Sequence, residues 1–288
     1  MCDQEQLAAM SGKGVSRRRF AKLGAVATVA AYASPDRAVA QQGRLAEVAA
    51  RFDAPGGKVD GYFVHPATGK HPAVIVWPDI AGLRDSFMAM ARRLAREGYA
   101  VLVLNPYYQD TEAPQFDDFD DWREKGGMEK VGPWRAKLTP QAVMDTAKAA
   151  VAWLDGQEAV DTAKGIGTQG YCMGGPFTVW SAAAVPERIK AAASFHGGGL
   201  VGEDATSPVK LLGQTQASYL FAIARNDDSR APTEKDTLKT AAAEAGRPAE
   251  IEVYPADHGW TVDDSPVFDS DAADRAWERL LNLYKTAL

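Results

Sequence analysis

The stretch that decides the fold reads Gly165-Ile166-Gly167-Thr168-Gln169-Gly170-Tyr171-Cys172-Met173-Gly174-Gly175-Pro176. Its first half reads as a strand, and residues 176–185 read as a helix, with glycines clustered at the turn between them. A strand that turns tightly into a helix needs glycine beside the turn, because a Cβ there would collide with neighbouring backbone. Pro176 falls in the first helical turn, where N–H groups lack intrahelical partners anyway. Such a turn presents one side chain at a helix N-terminus. Here that side chain is Cys172, and the helix dipole favours its thiolate. The pattern is that of a nucleophile elbow, G-x-S-x-G, with cysteine in the place of serine.

Short β-rich runs and helical patterns alternate on either side of this turn. The runs 59–64, 73–77, 100–104, 165–171, 191–195, 219–224 and 250–254 predict strands, several apolar on both faces as strands between two helix layers should be. Helices are predicted over 85–97, 139–154, 234–245 and 269–288. The first ends at Gly98, and the second opens with Thr139-Pro140, a cap followed by a first-position proline. The alternation predicts the α/β class, with a mostly parallel central sheet and helices on both faces. No internal repeat and no linker interrupts it. Residues 105–137 fit neither pattern: Tyr107, Tyr108, Phe116, Phe119, Trp122 and Trp134 stand among Asp117, Asp118, Asp120 and Asp121. So long an irregular segment is either a partly helical excursion packed on the surface or the wall of a pocket, and the two readings are evenly matched.

A nucleophilic cysteine needs a base, and only two of the four histidines, His196 and His258, follow Cys172. In an α/β-hydrolase fold the chain order is nucleophile, acid, histidine, each at the end of a strand. The run 219–224 ends in Arg225-Asn226-Asp227-Asp228, before His258 and after His196. His258 is therefore the expected base and Asp227 the preferred acid, with Asp228 as the alternative. The oxyanion that forms during attack needs two backbone donors: the N–H of Met173, after the nucleophile, and one in the loop Trp77-Pro78-Asp79-Ile80-Ala81-Gly82, for which Ile80 is the candidate. Asp79, His196, Trp260 and Tyr107 are expected to line the site.

Together, Cys172 in G-Y-C-M-G-G, the D-I-x-G loop at 79–82, the strand opening at Gly98-Tyr99-Ala100-Val101 and the Asp227/His258 pair resemble the dienelactone hydrolase family. The resemblance spans roughly residues 55–288. It implies an α/β-hydrolase fold and a Cys172-His258-Asp227 triad that cleaves a lactone or ester through an acyl-thioester. It implies no cofactor and no metal. Two positions depart from the family pattern. Well-characterised members carry a glutamate that interacts with the thiol where this chain has Asp79. They also carry an arginine for the substrate carboxylate shortly after the catalytic histidine, where this chain reads Gly259-Trp260-Thr261-Val262-Asp263-Asp264. A more apolar ester or lactone is the expected substrate.

The composition narrows the remaining possibilities. The 288 residues are 46% hydrophobic and 24% charged, the balance of a globular protein rather than a disordered or polytopic one. A formal charge of -6 leaves no basic face for nucleic acid, and two cysteines exclude a disulfide framework or a cysteine-built zinc site. Residues 1–40 differ from the rest. Ser16-Arg17-Arg18-Arg19-Phe20-Ala21-Lys22 precedes a mildly apolar run over 23–33, and Ala38-Val39-Ala40 offers a cleavage site. The stretch resembles a twin-arginine export signal, departing from it at Ala21. It implies the export machinery as partner of the precursor and a periplasmic or secreted product. The mature chain, 41–288, would be one α/β-hydrolase domain with Cys172 as its one cysteine and no span of membrane length. Two rival readings use the same fold: a binding protein that has lost turnover, and a redox thiol, which the lack of a resolving cysteine in 41–288 weakens.

Overall fold

The computed structural model describes residues 44–288; the leader and Cys2 lie outside the described residues. Eight strands form one sheet: β1 (Leu45–Ala54), β2 (Gly57–Pro66), β3 (Ala73–Trp77), β4 (Ala100–Leu104), β5 (Ile166–Tyr171), β6 (Ile189–Phe195), β7 (Ser218–Ala224) and β8 (Ala249–Tyr254). Their order across the sheet is β1-β2-β4-β3-β5-β6-β7-β8. β2 runs antiparallel to β1 and β4, and every pairing from β4 onward to β8 is parallel. This is the α/β-hydrolase arrangement.

The central strands are apolar on both faces because each feeds two cores. Ala73, Ile75 and Trp77 point into one layer while Val74 and Val76 point into the other, and Leu102 and Val103 divide in the same way. The first layer is closed by helix α4 (Pro140–Asp155), through Val143, Ala147, Ala150, Val151 and Leu154. The second is closed by helix α1 (Asp85–Arg96), through Phe87, Ala91 and Leu94, and by the C-terminal helix α9 (Ser270–Ala287), through Ala276, Trp277, Leu280 and Tyr284. The expected caps are in place: the Thr139 hydroxyl accepts from the Ala142 N–H at 3.2 Å, and Asp269 accepts from Ala272 at 3.0 Å.

Two regions add to the sequence reading. β1 was not expected as a strand; it is an alanine-rich edge strand that carries Glu47, Arg51 and Asp53, with only Ala50 and Phe52 buried. Its ladder with β2, from Leu45–Pro66 to Ala54–Gly57, supplies the order that its composition does not. Residues 105–137 carry two short helices, α2 (Phe119–Glu124) and α3 (Gly127–Arg135). Their aromatics Phe116, Phe119 and Trp122 bury against Ile80, Ala81 and Tyr107 as a third, smaller core. The exit from β4 is pinned by Asn105, whose amide donates to Asp60 at 2.8 Å and accepts from the Tyr107 N–H at 2.9 Å. Among the described residues, no helix is long and apolar enough to cross a membrane.

Candidate active site

The sheet reverses its building direction between β3 and β5, since β4 lies on one side of β3 and β5 on the other. At such a switch point the loops after the two strands diverge and leave a crevice at their C-terminal ends. β3 and β5 pair up to Trp77–Gly170, so the loop after β3 and the turn after β5 start side by side. Cys172 opens that turn with φ 53°, a left-handed conformation costly for any residue with a Cβ. A single 3₁₀ turn, Cys172–Gly174, leads into helix α5 (Gly175–Ala184). The elbow packs so closely on the loop after β3 that a Cβ at Gly174 would stand 2.4 Å from the Trp77 carbonyl oxygen. Glycine is required there by contact with backbone, which cannot move aside.

His258 and Asp227 meet. β7 ends at Ala224, and the next residues form the short helix α7 (Arg225–Arg230); His258 follows β8. His258 Nδ1–H donates to Asp227 Oδ2 at 2.7 Å, and the His258 backbone N–H donates to Asn226 Oδ1 at 2.9 Å. With Nδ1 committed to a carboxylate, the lone pair lies on Nε2. The two loops are tied again by Arg225, which pairs with Asp257 at 2.9 Å. Asp228 points elsewhere and pairs with Lys235.

His196 joins this group by a route the sequence did not suggest. Like Cys172 it is a non-glycine residue with positive φ, 40°, directly after the final β5–β6 pair, Tyr171–Phe195. The Cys172 backbone N–H donates to His196 Nδ1 at 3.1 Å, so this imidazole carries its proton on Nε2 and donates it to Thr261 Oγ1 at 2.9 Å. The His196 and His258 ring centroids stand 4.8 Å apart. Burial, and then the neighbouring His258, hold the His196 pKa well below the usual imidazole value. An unfolded chain takes up a proton on this imidazole below about pH 6.5, which the folded protein resists. Stability owed to the neutral ring is therefore complete above that pH and is lost as the pH falls below it. In urea unfolding at pH 7 and pH 5, His196→Asn should lose less stability on acidification than the wild type, by about one proton's linkage. Equal losses would contradict a buried neutral imidazole.

The residues expected to line the site stand just behind it. Trp260 is fully buried, stacked on Tyr254 and edge-on to His196 at 5.1 Å. Tyr107, 1% exposed, donates its hydroxyl to the Ile80 carbonyl at 2.7 Å, with the Met173 sulfur at 3.5 Å. Burial pushes the phenol well above its ordinary range, so it stays a donor. It thus clamps the two residues expected to supply the oxyanion donors. Tyr107→Phe should lower kcat about tenfold while leaving KM within about twofold, because donor placement matters most in the transition state; steady-state kinetics on one ester decides this. Asp79 turns away from the elbow. Both its oxygens accept from Arg84, at 2.8 and 3.0 Å, and one also accepts from the Ala81 N–H at 2.9 Å. The same guanidinium binds Asp264 through Nε at 2.6 Å and Nη2 at 2.8 Å.

A cleft of about 300 Å³ opens beside the elbow, lined by Cys172, Met173, Pro176, Phe177, Trp180, by Arg135 from the 105–137 excursion and by Leu138 just after it. The excursion is therefore a pocket wall. Trp180 and Arg135 were missed in the sequence. Trp180 carries a legible signal, since 172, 176 and 180 fall on one helical face. Arg135 carries none; it is the one charged residue of the lining and forms no ion pair among the described residues. No group of three or more metal-ligating side chains exists among the described residues.

An α/β-hydrolase sheet with a tight strand-to-helix elbow at its switch point and an Asp-His pair beyond it is the frame of a hydrolase of carboxylic esters or lactones. The chain belongs to the dienelactone hydrolase family, whose sequence profile matches residues 59–288. It is similar to a candidate carboxymethylenebutenolidase of Methylorubrum extorquens, 28% identical over 235 residues, 80% of this chain and 77% of that protein. A carboxymethylenebutenolidase of a Pseudomonas species is 26% identical over 230 residues, 80% of this chain and 91% of that one. The solved structure of a candidate dienelactone hydrolase from Klebsiella pneumoniae superposes with a TM-score of 0.70 at 25% identity, over 84% of this chain and 99% of that one.

Proposed function

We propose that this hydrolase works through a Cys172-His258-Asp227 triad and an acyl-thioester. His258 Nε2 takes the thiol proton, and the thiolate attacks the substrate carbonyl. The oxyanion is received by the Met173 and Ile80 N–H groups, and the ester or lactone C–O bond breaks as His258 returns the proton to the leaving oxygen. Water, deprotonated by His258, then cleaves the thioester and regenerates Cys172. The observation that carries this reading is the His258–Asp227 hydrogen bond of 2.7 Å, which holds the tautomer that a base needs.

The substrate follows from the cleft. Met173, Phe177, Trp180 and Leu138 suit an apolar body, as expected from the sequence. Of the two carboxylates that follow His258 in this chain, Asp263 and Asp264, the second is taken up by Arg84. Arg135 gives the cleft a partner for one substrate carboxylate, because a guanidinium binds carboxylate well, and this extends the substrate class to small esters and lactones that carry one. The carboxymethylenebutenolidase relatives fit that class by name. The test is a panel of p-nitrophenyl esters and small lactones, neutral and carboxylate-bearing, assayed with a reductant on wild type, Cys172→Ala and Arg135→Met. Turnover lost in Cys172→Ala, and anionic substrates weakened about tenfold in Arg135→Met with neutral ones unchanged, are the expected results. Equal activity of wild type and Cys172→Ala would overturn the triad. The export reading of residues 1–40 rests on their sequence pattern; a periplasmic product beginning at Gln41 is its expected outcome, and full-length protein kept in the cytoplasm would refute it.

A further inference from the structure

His196 is a buried imidazole that the proposed reaction does not use, yet it touches both ends of the triad. Past the final β5–β6 pair, Tyr171–Phe195, both main chains turn away through left-handed residues, Cys172 and His196. The Cys172 N–H therefore loses the strand partner that the ladder supplies to earlier residues. Left unmet at a buried position it would cost about 1–3 kcal/mol. The His196 ring takes that place through Nδ1 at 3.1 Å. Its other nitrogen donates to Thr261, three residues beyond His258 on the same loop, and its face meets the His258 ring at 4.8 Å.

We infer that His196 is a positioning residue, a neutral imidazole strut that fixes the backbone of Cys172 relative to the loop carrying His258. The inference rests on the triad reading above and adds a residue to it. One nitrogen must accept and the other donate, so the strut works only as the neutral Nε2–H tautomer. Protonation would turn Nδ1 into a second donor facing the Cys172 N–H and place a cation against His258. The titratable groups facing the ring are Cys172, His258 and Tyr171, whose ring lies at 6.1 Å; Asp227 stands behind His258. Burial favours the neutral form in the same direction. A second consequence concerns the oxyanion: because the Cys172 N–H is engaged by His196, the donors left to the elbow begin at Met173.

The test compares His196→Asn, whose side-chain oxygen can still accept from the Cys172 N–H, with His196→Leu, which cannot. With a p-nitrophenyl ester and a reductant present, His196→Leu should lose about 10²-fold in kcat with KM within about twofold, the loss expected of a misplaced reacting group. His196→Asn should recover at least about tenfold of that, and iodoacetamide should alkylate Cys172 with a shifted pH profile in His196→Leu only. A His196→Leu enzyme within about threefold of wild-type kcat, or a His196→Asn enzyme no better than it, would overturn the inference. If His196→Leu does not fold, Thr261→Val serves: it removes the far anchor and should lower kcat about fivefold, restored by Thr261→Ser, and an unchanged kcat counts against the strut. Cys172→Ala run alongside separates the failures. Turnover retained in it overturns the nucleophile and the strut together; turnover lost in it beside an active His196→Leu overturns the strut alone.

Discussion

His258→Ala should lower kcat by about 10⁴–10⁶-fold, and the double variant with Cys172→Ala should be no worse than either alone. The reason is that the two side chains act as one unit: without a base the thiol is protonated, and without the thiol the base has nothing to activate. Asp227→Asn should cost about 10⁴-fold with little change in KM, because an amide can donate to Nδ1 and so hold the wrong tautomer. Asp228→Asn provides the internal control. Asp228 is committed to Lys235 rather than His258, so its loss should change kcat by no more than about twofold. Steady-state kinetics on the wild type and these variants, with circular dichroism to show that each is folded, would reveal any exchange of roles between the two neighbouring aspartates.

The second large effect concerns folding. Arg84 is 1% exposed and holds two carboxylates at once, Asp79 from the loop after β3 and Asp264 from the segment after His258. Burial alone would lower its pKa, but Asp79 and Asp264 outweigh that and hold the guanidinium above its ordinary value. Its face also lies over Phe87 and Phe119, at 5.1 and 5.7 Å. Asp264 in turn accepts from the Phe119 N–H at 3.0 Å, which ties in the start of α2. Arg84→Met would keep much of the volume and leave the buried Asp79 carboxylate and the partly buried Asp264 carboxylate uncompensated, a loss of about 3–5 kcal/mol. For a chain of this size that corresponds to a fall in Tm of about 6–20 °C. Activity at low temperature should fall too, since Ile80 sits in the loop that Asp79 anchors. Replacing all three residues with apolar ones of similar volume should recover much of the stability, because a buried ion pair stabilises little relative to a well-packed apolar group. A single Arg84→Met variant that melts with the wild type would show that the trio carries no structural weight.

What could be read from the sequence was local. The elbow announces itself because strand, glycines, cysteine and proline are adjacent in the chain, and the Asp227–His258 pair because each member follows a β-rich run. Strands fed by two cores are apolar on both faces and stand out; β1, with two buried residues, does not, and its order comes from pairing with β2. The departures concern contacts between distant segments. Arg84 and Asp264 are 180 positions apart, and nothing at either marks the other. Asp79 looks like a group for the thiol until Arg84 claims both its oxygens. His196 and Trp260 look like lining but stand behind it, His196 against the Cys172 N–H and the His258 ring, and Trp260 against His196. Arg135 sits in a segment whose two short helices have no strong periodic signal, and only the fold brings it to the cleft.

The central claim is that Cys172 becomes acylated. Reduced protein mixed with a slowly deacylating p-nitrophenyl ester, quenched in acid and digested, should yield one peptide heavier by the acyl group, with the added mass on Cys172. The adduct should build up at the rate of p-nitrophenolate release and be absent from Cys172→Ala. Steady turnover with no adduct on Cys172, or an adduct of equal yield on another residue, would contradict it.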